Sequence, residues 1–230
     1  MSHPDAEQFW SGRYTAAGDD YLFGTAPNKF LKSQLHRLHP GLKALSVADG
    51  EGRNSVWMAE EGLAVTAVEV SPVALHKARR LATARHAAVN FVLADILEWT
   101  WPEGGYDVVA GIFIQFAAPA ERSLLFERMQ GALNPGGLLL LQGYTPKQLE
   151  YRTGGPSAVE NLYTAALLQE AFAATEILEL REHEDHLEEG SGGQRGHWGR
   201  SALVDLVARK KALVPVVASG VLVPASVVSG

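Results

Sequence analysis

The sequence predicts an α/β fold built on one doubly wound, mostly parallel sheet with helices on both faces. Between residues 45 and 142, short strand-forming runs alternate with helical stretches. The runs are nearly continuously apolar, which is typical of parallel strands buried on both faces. Two later β-rich runs flank a charged, glycine-rich stretch, which predicts a C-terminal antiparallel hairpin added to the sheet.

The predicted elements follow one another in a regular order. We expect strands over residues 45–48, 64–68, 89–94, 106–113 and 138–142, and helices over 54–61, 72–85 and 119–133. Pro72 suits the first turn of a helix, and Asn134-Pro135-Gly136-Gly137 predicts a turn before the fifth strand. A helix over 164–172 then precedes hairpin strands at 176–181 and 202–208, joined by a loop over 182–200.

Composition narrows the classes of function. The chain has 230 residues, a formal net charge of -6 and a pI near 5.8, so it lacks the basic character of a nucleic-acid-binding protein. The absence of cysteine excludes disulfides, thiolate zinc sites and a cysteine nucleophile. Residues 1–7 are polar and begin no apolar run, so we expect no signal peptide and a cytoplasmic protein.

Three segments are predicted along the chain. Residues 1–44 form an N-terminal lid and helix, residues 45–210 the core, and residues 211–230 a C-terminal extension. The extension carries no charged side chain from residue 212 onward and is about as long as a membrane span. Pro215, Pro224 and two glycines make it a poor helix. We therefore expect a loosely packed extension without a membrane role, whose deletion leaves folding and ligand binding intact.

A glycine loop follows the first predicted strand and opens a helix, over residues 48–54 (Ala-Asp-Gly-Glu-Gly-Arg-Asn). Glycines there let the backbone turn tightly and approach a ligand. Glu69 ends the second predicted strand, where a carboxylate can accept both ribose hydroxyls of an adenosine. Asp95 ends the third and could receive the adenine amino group, although taken alone it is better explained as a helix cap.

This ordered set resembles the class I S-adenosylmethionine-dependent methyltransferases over residues 45–142. Tyr106-Asp107-Val108-Val109 and Leu133-Asn134-Pro135-Gly136-Gly137 match the family as well. Two positions depart from the family pattern, since Ala48 replaces the first glycine and Ser46 the usual strand-end acid. The resemblance implies the seven-stranded methyltransferase fold and S-adenosylmethionine as cofactor. It implies cofactor contacts from Trp10, Tyr14, Ala48, Asp49, Gly50, Gly52, Arg53, Asn54, Glu69, Val70, Ser71, Asp95, Ile96, Ile112 and Gln115.

The N-terminal segment looks like the lid of the tellurite-resistance and thiopurine-type methyltransferases. The residues that carry this likeness are Trp10, Arg13, Tyr14, Tyr21, Gly24, Pro27, Asn28 and Phe30. Such a lid covers the cofactor, and aromatic faces would attract the sulfonium cation. Ordinary packing against the core is the alternative for Trp10 and Phe30.

The methyl acceptor is expected beyond strands four and five, where ligands of open α/β sheets bind. Candidate acceptor-binding residues are Tyr21, Tyr144, Arg152 and His197. The run Ile114-Gln115-Phe116 after strand four differs from the Asn-Pro-Pro-aromatic run of enzymes that methylate adenine bases. His183, His186 and His197 have no helical ligand spacing, so no metal site is predicted.

No nucleophile–base pair can be identified, so we assign no catalytic residue. Methyl transfer from a sulfonium depends largely on orientation, and an already deprotonated acceptor needs no base. We therefore expect methyl transfer to a small molecule, such as a thiol or a chalcogen oxyanion, with no nucleic-acid or membrane partner and an unassigned oligomeric state. The alternatives are a nucleotide-dependent oxidoreductase, against which Ser55 replaces the third glycine of the dinucleotide motif, and a catalytically idle S-adenosylmethionine-binding protein.

Overall fold

The computed structural model describes residues 3–187 and 199–212. The α-helices are α1 (His3–Ala16), α2 (Lys29–Ser33), α3 (Arg53–Glu60), α4 (Pro72–Ala84), α5 (Pro119–Ala132), α6 (Gln148–Tyr151) and α7 (Ala165–Ala171). The strands are β1 (Lys43–Val47), β2 (Ala64–Glu69), β3 (Val89–Leu93), β4 (Tyr106–Ile112), β5 (Leu133–Tyr144), β6 (Glu176–Leu187) and β7 (Gly199–Arg209). Short 3-10 helices cover Gln34–Arg37 and Val159–Asn161.

The strands form one seven-stranded sheet in the order β3-β2-β1-β4-β5-β7-β6. Strands β1 to β5 are parallel, and β7 inserts antiparallel between β5 and β6. This confirms the predicted doubly wound sheet with a C-terminal hairpin. The strand order reverses between β1 and β4, so the loops that leave these strands diverge to opposite faces and open a crevice at their carboxyl ends.

Apolar side chains cover both faces of the sheet. On one face, Leu45 and Leu139 are fully buried and pack with Phe126 and Met129 of α5. On the other face, Phe30 packs with the core residues around Trp57 and is only 5% exposed. Phe30 is therefore a core residue, which agrees with the alternative that its side chain packs against the core. This packing attaches α2 to the sheet.

Strands β5, β6 and β7 extend furthest beyond their predicted limits. Strand β5 begins at Leu133, which pairs with Tyr106, and a register shift after Tyr106 accommodates the predicted turn as an irregularity inside the strand. Strand β6 continues to Leu187, which pairs with Gly199 of β7. The loop predicted over 182–200 is therefore wrong at 182–187 and 199–200, and its remainder lies outside the described residues.

Nearly all of the C-terminal extension also lies outside the described residues. In the described part of the chain, no helix combines the length and apolarity that crossing a bilayer requires.

Candidate functional site

A cleft of about 560 Å³ lies between the N-terminal segment and the carboxyl ends of the central strands. Small-molecule sites usually have volumes of roughly 300–1,000 Å³. The cleft lies at the reversal of strand order, where the fold leads one to expect a ligand. Most of the predicted cofactor residues line it, namely Trp10, Tyr14, Ala48, Asp49, Gly50, Arg53, Asn54, Glu69, Val70, Asp95, Ile96 and Ile112.

The two glycines of the loop have different neighbours. Gly50 has a φ of +66°, and a Cβ there would lie 2.9 Å from the Tyr14 hydroxyl, so its absence lets α1 close over the loop. Gly52 has a φ of +90°, and its Cβ would lie 2.8 Å from the Cβ of Ala78 on α4. Gly52 does not line the cleft. The structure thus gives Gly52 a packing role between the loop and α4, instead of the ligand approach suggested by the sequence.

Two serine hydroxyls hold the carboxylate of Asp49 in the glycine loop. The Ser46 hydroxyl donates to Asp49 Oδ1 over 2.6 Å, and the Ser55 hydroxyl donates to Asp49 Oδ2 over 2.5 Å. Burial raises the pKa of the Asp49 carboxyl, and the two serine hydrogen bonds oppose that shift. Position 46 thus carries a hydroxyl that donates to a carboxylate at position 49, and both side chains line the cleft.

Ala48 occupies a backbone conformation that suits glycine, with a φ of +50°. A left-handed conformation costs any L-residue other than glycine roughly 1–2 kcal/mol. Glycine avoids this cost, but it loses roughly 0.5–1 kcal/mol because its unfolded state has more conformational entropy than that of alanine. We expect Ala48→Gly to stabilise the protein by about 0.5–1 kcal/mol, measured by urea unfolding. Ala44→Gly, in strand β1, is the control and should destabilise. A loss of stability in Ala48→Gly would contradict the assigned strain.

Glu69 connects the glycine loop to α4. Its carboxylate accepts hydrogen bonds from the backbone N–H of Gly50 over 2.8 Å and of Ser71 over 3.0 Å. Burial raises the pKa of Glu69 from 4.5 to about 7. Ser71 itself caps α4 through Ala74 and contacts Ser11 of α1, and it does not line the cleft. Glu69 therefore combines a structural role with a position in the cleft wall.

Asp95 closes a turn at the edge of the cleft. Its Oδ1 accepts the backbone N–H of Leu97 over 2.8 Å, and the residues that follow form a turn, so the helix-cap alternative for Asp95 is wrong. It also lines the cleft, next to the buried Ile96. The turn after β3 therefore holds this carboxylate at the cleft edge.

A buried lysine holds the N-terminal segment against α4. Trp10 and Tyr14 of α1 stack with ring centroids 5.9 Å apart and line the cleft. Lys77 Nζ on α4 donates to the Tyr14 carbonyl over 2.8 Å and to the Asp20 carbonyl over 2.7 Å, and it pairs with Glu51 Oε1 at 2.9 Å. Lys77 and Glu51 are each only 4% exposed. This pair ties the segment to the glycine loop.

Of the acceptor candidates, the three that lie in the described part of the chain are not in the cleft wall. Tyr21 donates its hydroxyl to the Lys77 carbonyl, and Arg152 is exposed with a φ of +53°. Tyr144 is buried and stacks on Phe113 with centroids 4.6 Å apart. Gln115, a predicted cofactor residue, is buried and bonds the backbone of Tyr144 instead of facing the cleft. His197 lies outside the described residues.

Several cleft residues escaped the sequence reasoning. The unassigned ones include Phe113, Phe116, Lys29, Lys32 and Leu187. The two phenylalanines follow strand four, so their position beyond its end was a usable signal. The lysines of α2 and Leu187 of β6 reach the cleft through tertiary packing, for which the sequence has no local signal.

The described residues contain no group of His, Cys, Asp or Glu side chains suited to hold a metal ion. His183 lies on strand β6, where its Nε2 is 2.8 Å from the carboxylate of Asp205. His186 lies on the same strand and is exposed.

Residues 44–137 match the family model of a methyltransferase domain. The chain carries a class I S-adenosylmethionine-dependent methyltransferase domain. The cofactor of this domain is S-adenosylmethionine, which agrees with the resemblance noted in the sequence.

Curated relatives match only part of this chain. Carboxy-S-adenosyl-L-methionine synthase from Trichlorobacter lovleyi is 35% identical over 80 residues, which are 34% of this chain and 32% of the relative. The chain thus matches about a third of that relative's length.

Two solved structures resemble the methyltransferase domain and its lid together. One, reported with the conversion of a disulfide bond into a thioacetal group during echinomycin biosynthesis, has a TM-score of 0.74 at 18% identity, over 91% of this chain and 94% of that one. TehB from Haemophilus influenzae has a TM-score of 0.66 at 19% identity, over 89% of this chain and 67% of that one. At such identities the likeness shows the fold.

Proposed function

We propose that the protein binds S-adenosylmethionine in the 560 Å³ cleft and transfers its methyl group to a small-molecule acceptor. The observation that carries the proposal is the position of Glu69 and Asp95 in one cleft wall, at the carboxyl ends of β2 and β3 of a methyltransferase domain. The lid closes the opposite side. A closed site of this kind keeps water from the reacting atoms.

The adenosine end of the cofactor fits the acidic wall. One oxygen of Glu69 accepts the Gly50 N–H and the other the Ser71 N–H, and an ionised carboxylate offers about four acceptor sites. Two ribose hydroxyls can therefore donate to Glu69 without displacing the loop. Asp95 can receive the adenine amino group, with Ile96 and Leu97 against the base.

The methionine end carries an ammonium and a carboxylate, and the cleft offers the complementary charges. Asp49 lines the cleft as a carboxylate, and Arg53 lines it as a guanidinium whose pKa is lowered by burial. Trp10 and Tyr14 supply aromatic surface near the loop, which suits a sulfonium cation. The bound cofactor would supply the electrophilic methyl group, and these residues would orient it.

Glu69→Gln should weaken the binding of S-adenosylhomocysteine by roughly 1.5–3 kcal/mol, the usual contribution of a hydrogen bond to a charged group. The free energy of unfolding should fall too, because the carboxylate also accepts two backbone N–H groups. Asp107→Asn is the matched control, since Asp107 accepts the Lys43 N–H outside the cleft. Calorimetric titration measures both affinities. Equal dissociation constants in the two variants would remove Glu69 from the site.

Cofactor binding should release a proton near neutral pH. The pKa of Glu69 is raised to about 7 in the free protein, and hydroxyl donors favour the ionised carboxylate. Affinity should therefore rise as the pH increases through about 7. The stability that the protonated group contributes to the free protein is complete below pH 4.5 and is lost as the pH rises through about 7.

The released proton is measured by calorimetry in two buffers of different ionisation enthalpy. Glu69→Gln should abolish the difference between the buffers. Proton uptake, or unchanged release in Glu69→Gln, would contradict the assignment.

For the acceptor, we infer a small, soft or anionic nucleophile such as a thiol, selenite or tellurite. The closed lid and the size of the cleft support a compact acceptor, and Phe113 and Phe116 give it an apolar wall. No histidine of the described residues lines the cleft, which supports an acceptor that arrives deprotonated. The structural likeness to a protein reported with disulfide-to-thioacetal conversion supports sulfur chemistry.

A panel assay tests this function by measuring S-adenosylhomocysteine release with thiols, chalcogen oxyanions, phenols, amines, peptides and DNA. We expect turnover with thiols or chalcogen oxyanions. Turnover confined to peptides or DNA would overturn the small-molecule proposal, and turnover confined to phenols or amines would indicate a general base. Binding of S-adenosylhomocysteine without turnover of any acceptor would favour the idle binding protein.

A further inference from the structure

Asp205 is a buried charge that the proposed cofactor site does not use. It lies inside β7 with a relative exposure of 0%. Its carboxylate accepts from Gln142 Nε2 over 2.6 Å and from an Arg181 guanidinium nitrogen over 2.9 Å, and His183 Nε2 lies 2.8 Å away. Burying a carboxylate is costly unless it is paired and hydrogen-bonded. The role of the Asp205 carboxylate can therefore be inferred from the groups that surround it.

The carboxylate fixes the orientation of the Gln142 side chain. A carboxylate without a proton only accepts hydrogen bonds, so the amide nitrogen of Gln142 must face Asp205. The amide oxygen then faces the lid, where it accepts from Asn28 Nδ2 over 2.7 Å. Asp205 thus determines that Gln142 donates to the hairpin and accepts from Asn28.

The same polarity determines the conformation of Asn28. Since its Nδ2 is committed to Gln142, its Oδ1 is free to accept the Leu31 N–H over 3.0 Å and begin α2. The backbone N–H of Asn28 donates to Asn54 Oδ1 of α3 over 3.0 Å. Asn28 and Asn54 both line the cleft. One hydrogen-bonded row therefore runs from the β6–β7 hairpin to the lid and the helix after the glycine loop.

We propose that Asp205 is a positioning residue that holds the lid over the cofactor through Gln142 and Asn28. The proposal rests on the cofactor site proposed above. In Asp205→Asn, position 205 presents an amide that can donate as well as accept, so Gln142 is no longer held in one orientation. Asn28 then loses the fixed acceptor for its Nδ2, and α2 loses part of its cap.

The test compares Asp205→Asn, Asn28→Asp and the double variant. Asn28→Asp keeps a good capping residue but removes the donor to Gln142. We expect either single change to raise the dissociation constant of S-adenosylhomocysteine roughly tenfold, the low end for hydrogen bonds to charged groups. The double variant should be little worse than the singles, because both break one row. Glu176→Gln, at an exposed pair with Arg209 on the same hairpin, should change nothing.

Hydrogen exchange of the Leu31 amide is the second readout, and it needs no ligand. Asp205→Asn should speed exchange at Leu31, whose N–H is bonded to Asn28. Additive losses in the double variant, or a lower melting temperature with unchanged Leu31 exchange, would reduce Asp205 to a structural residue of the hairpin. If the unmodified protein binds no S-adenosylhomocysteine, the proposed function fails, while the Leu31 measurement still decides whether Asp205 holds the lid.

Discussion

Gly52→Ala should destabilise the protein by about 2–5 kcal/mol. The added Cβ would lie 2.8 Å from the Cβ and 3.0 Å from the Cα of Ala78. The backbone of α4 cannot yield cheaply, and overpacking of a core costs roughly 1–3 kcal/mol. The φ of +90° adds roughly 1–2 kcal/mol for any L-residue. Urea unfolding monitored by circular dichroism gives the loss directly.

Gly41→Ala separates the two causes. Gly41 has a φ of +89°, almost that of Gly52, but a Cβ there would have no atom within 4 Å. This control should therefore lose only the strain, roughly 1–2 kcal/mol. Equal losses in the two variants would show that contact with Ala78 is unimportant. If Gly52→Ala keeps its stability but loses all cofactor affinity, Gly52 contacts the ligand and its packing against α4 is unimportant.

Lys77→Met should cost about 3–5 kcal/mol, the usual loss when one partner of a buried ion pair is removed. The change leaves the Glu51 carboxylate without its cation, and the carbonyls of Tyr14 and Asp20 without a donor. Burial already raises the pKa of Glu51, so an unpaired carboxyl there would take up a proton more readily. Thermal and urea unfolding measure the loss.

Arg80→Met on the same helix is the control, because its pair with Asp19 is exposed and should contribute less than about 1 kcal/mol. In Lys77→Met/Glu51→Gln, part of the stability should return, since no buried charge is left unpaired. A loss in Lys77→Met no larger than that in Arg80→Met would mean that the buried pair does not hold the lid.

The elements of the core could be predicted because each depends on local signals. The run of apolar strands, Pro72 at the start of α4 and the glycines of the loop are all visible within a few residues of sequence. Glu69 and Asp95 were found in the same way, because the end of a strand is the edge where ligands bind. The hydrogen bonds of Glu69 to the backbone N–H groups of Gly50 and Ser71 could not be foreseen.

The remaining site depends on contacts between distant parts of the chain. Tyr144 and Gln115 were placed near a ligand by their position after strands, but packing turns both into the core. The predicted strand β6 ended too early because residues 182–186 are all charged or histidine. Its ladder with β7 is formed by backbone groups, which do not depend on side-chain polarity. Ser46 and Asp49 form a pair that neither position suggests alone.

The lid precedes in the chain every strand that it touches, and this order has a consequence for how the protein folds. Asn28 is bonded to Gln142, 114 residues further on, and Lys77 Nζ reaches back 63 residues to Tyr14. During synthesis on a ribosome, α1 can dock once α4 has been made, but the bond from Asn28 cannot form until β5 has been made. Such distant contacts are gained only after loop closure has been completed, which makes them slow to form. The part of the lid around Asn28, which would exclude water from the cofactor, is thus held in place only after β5 has formed.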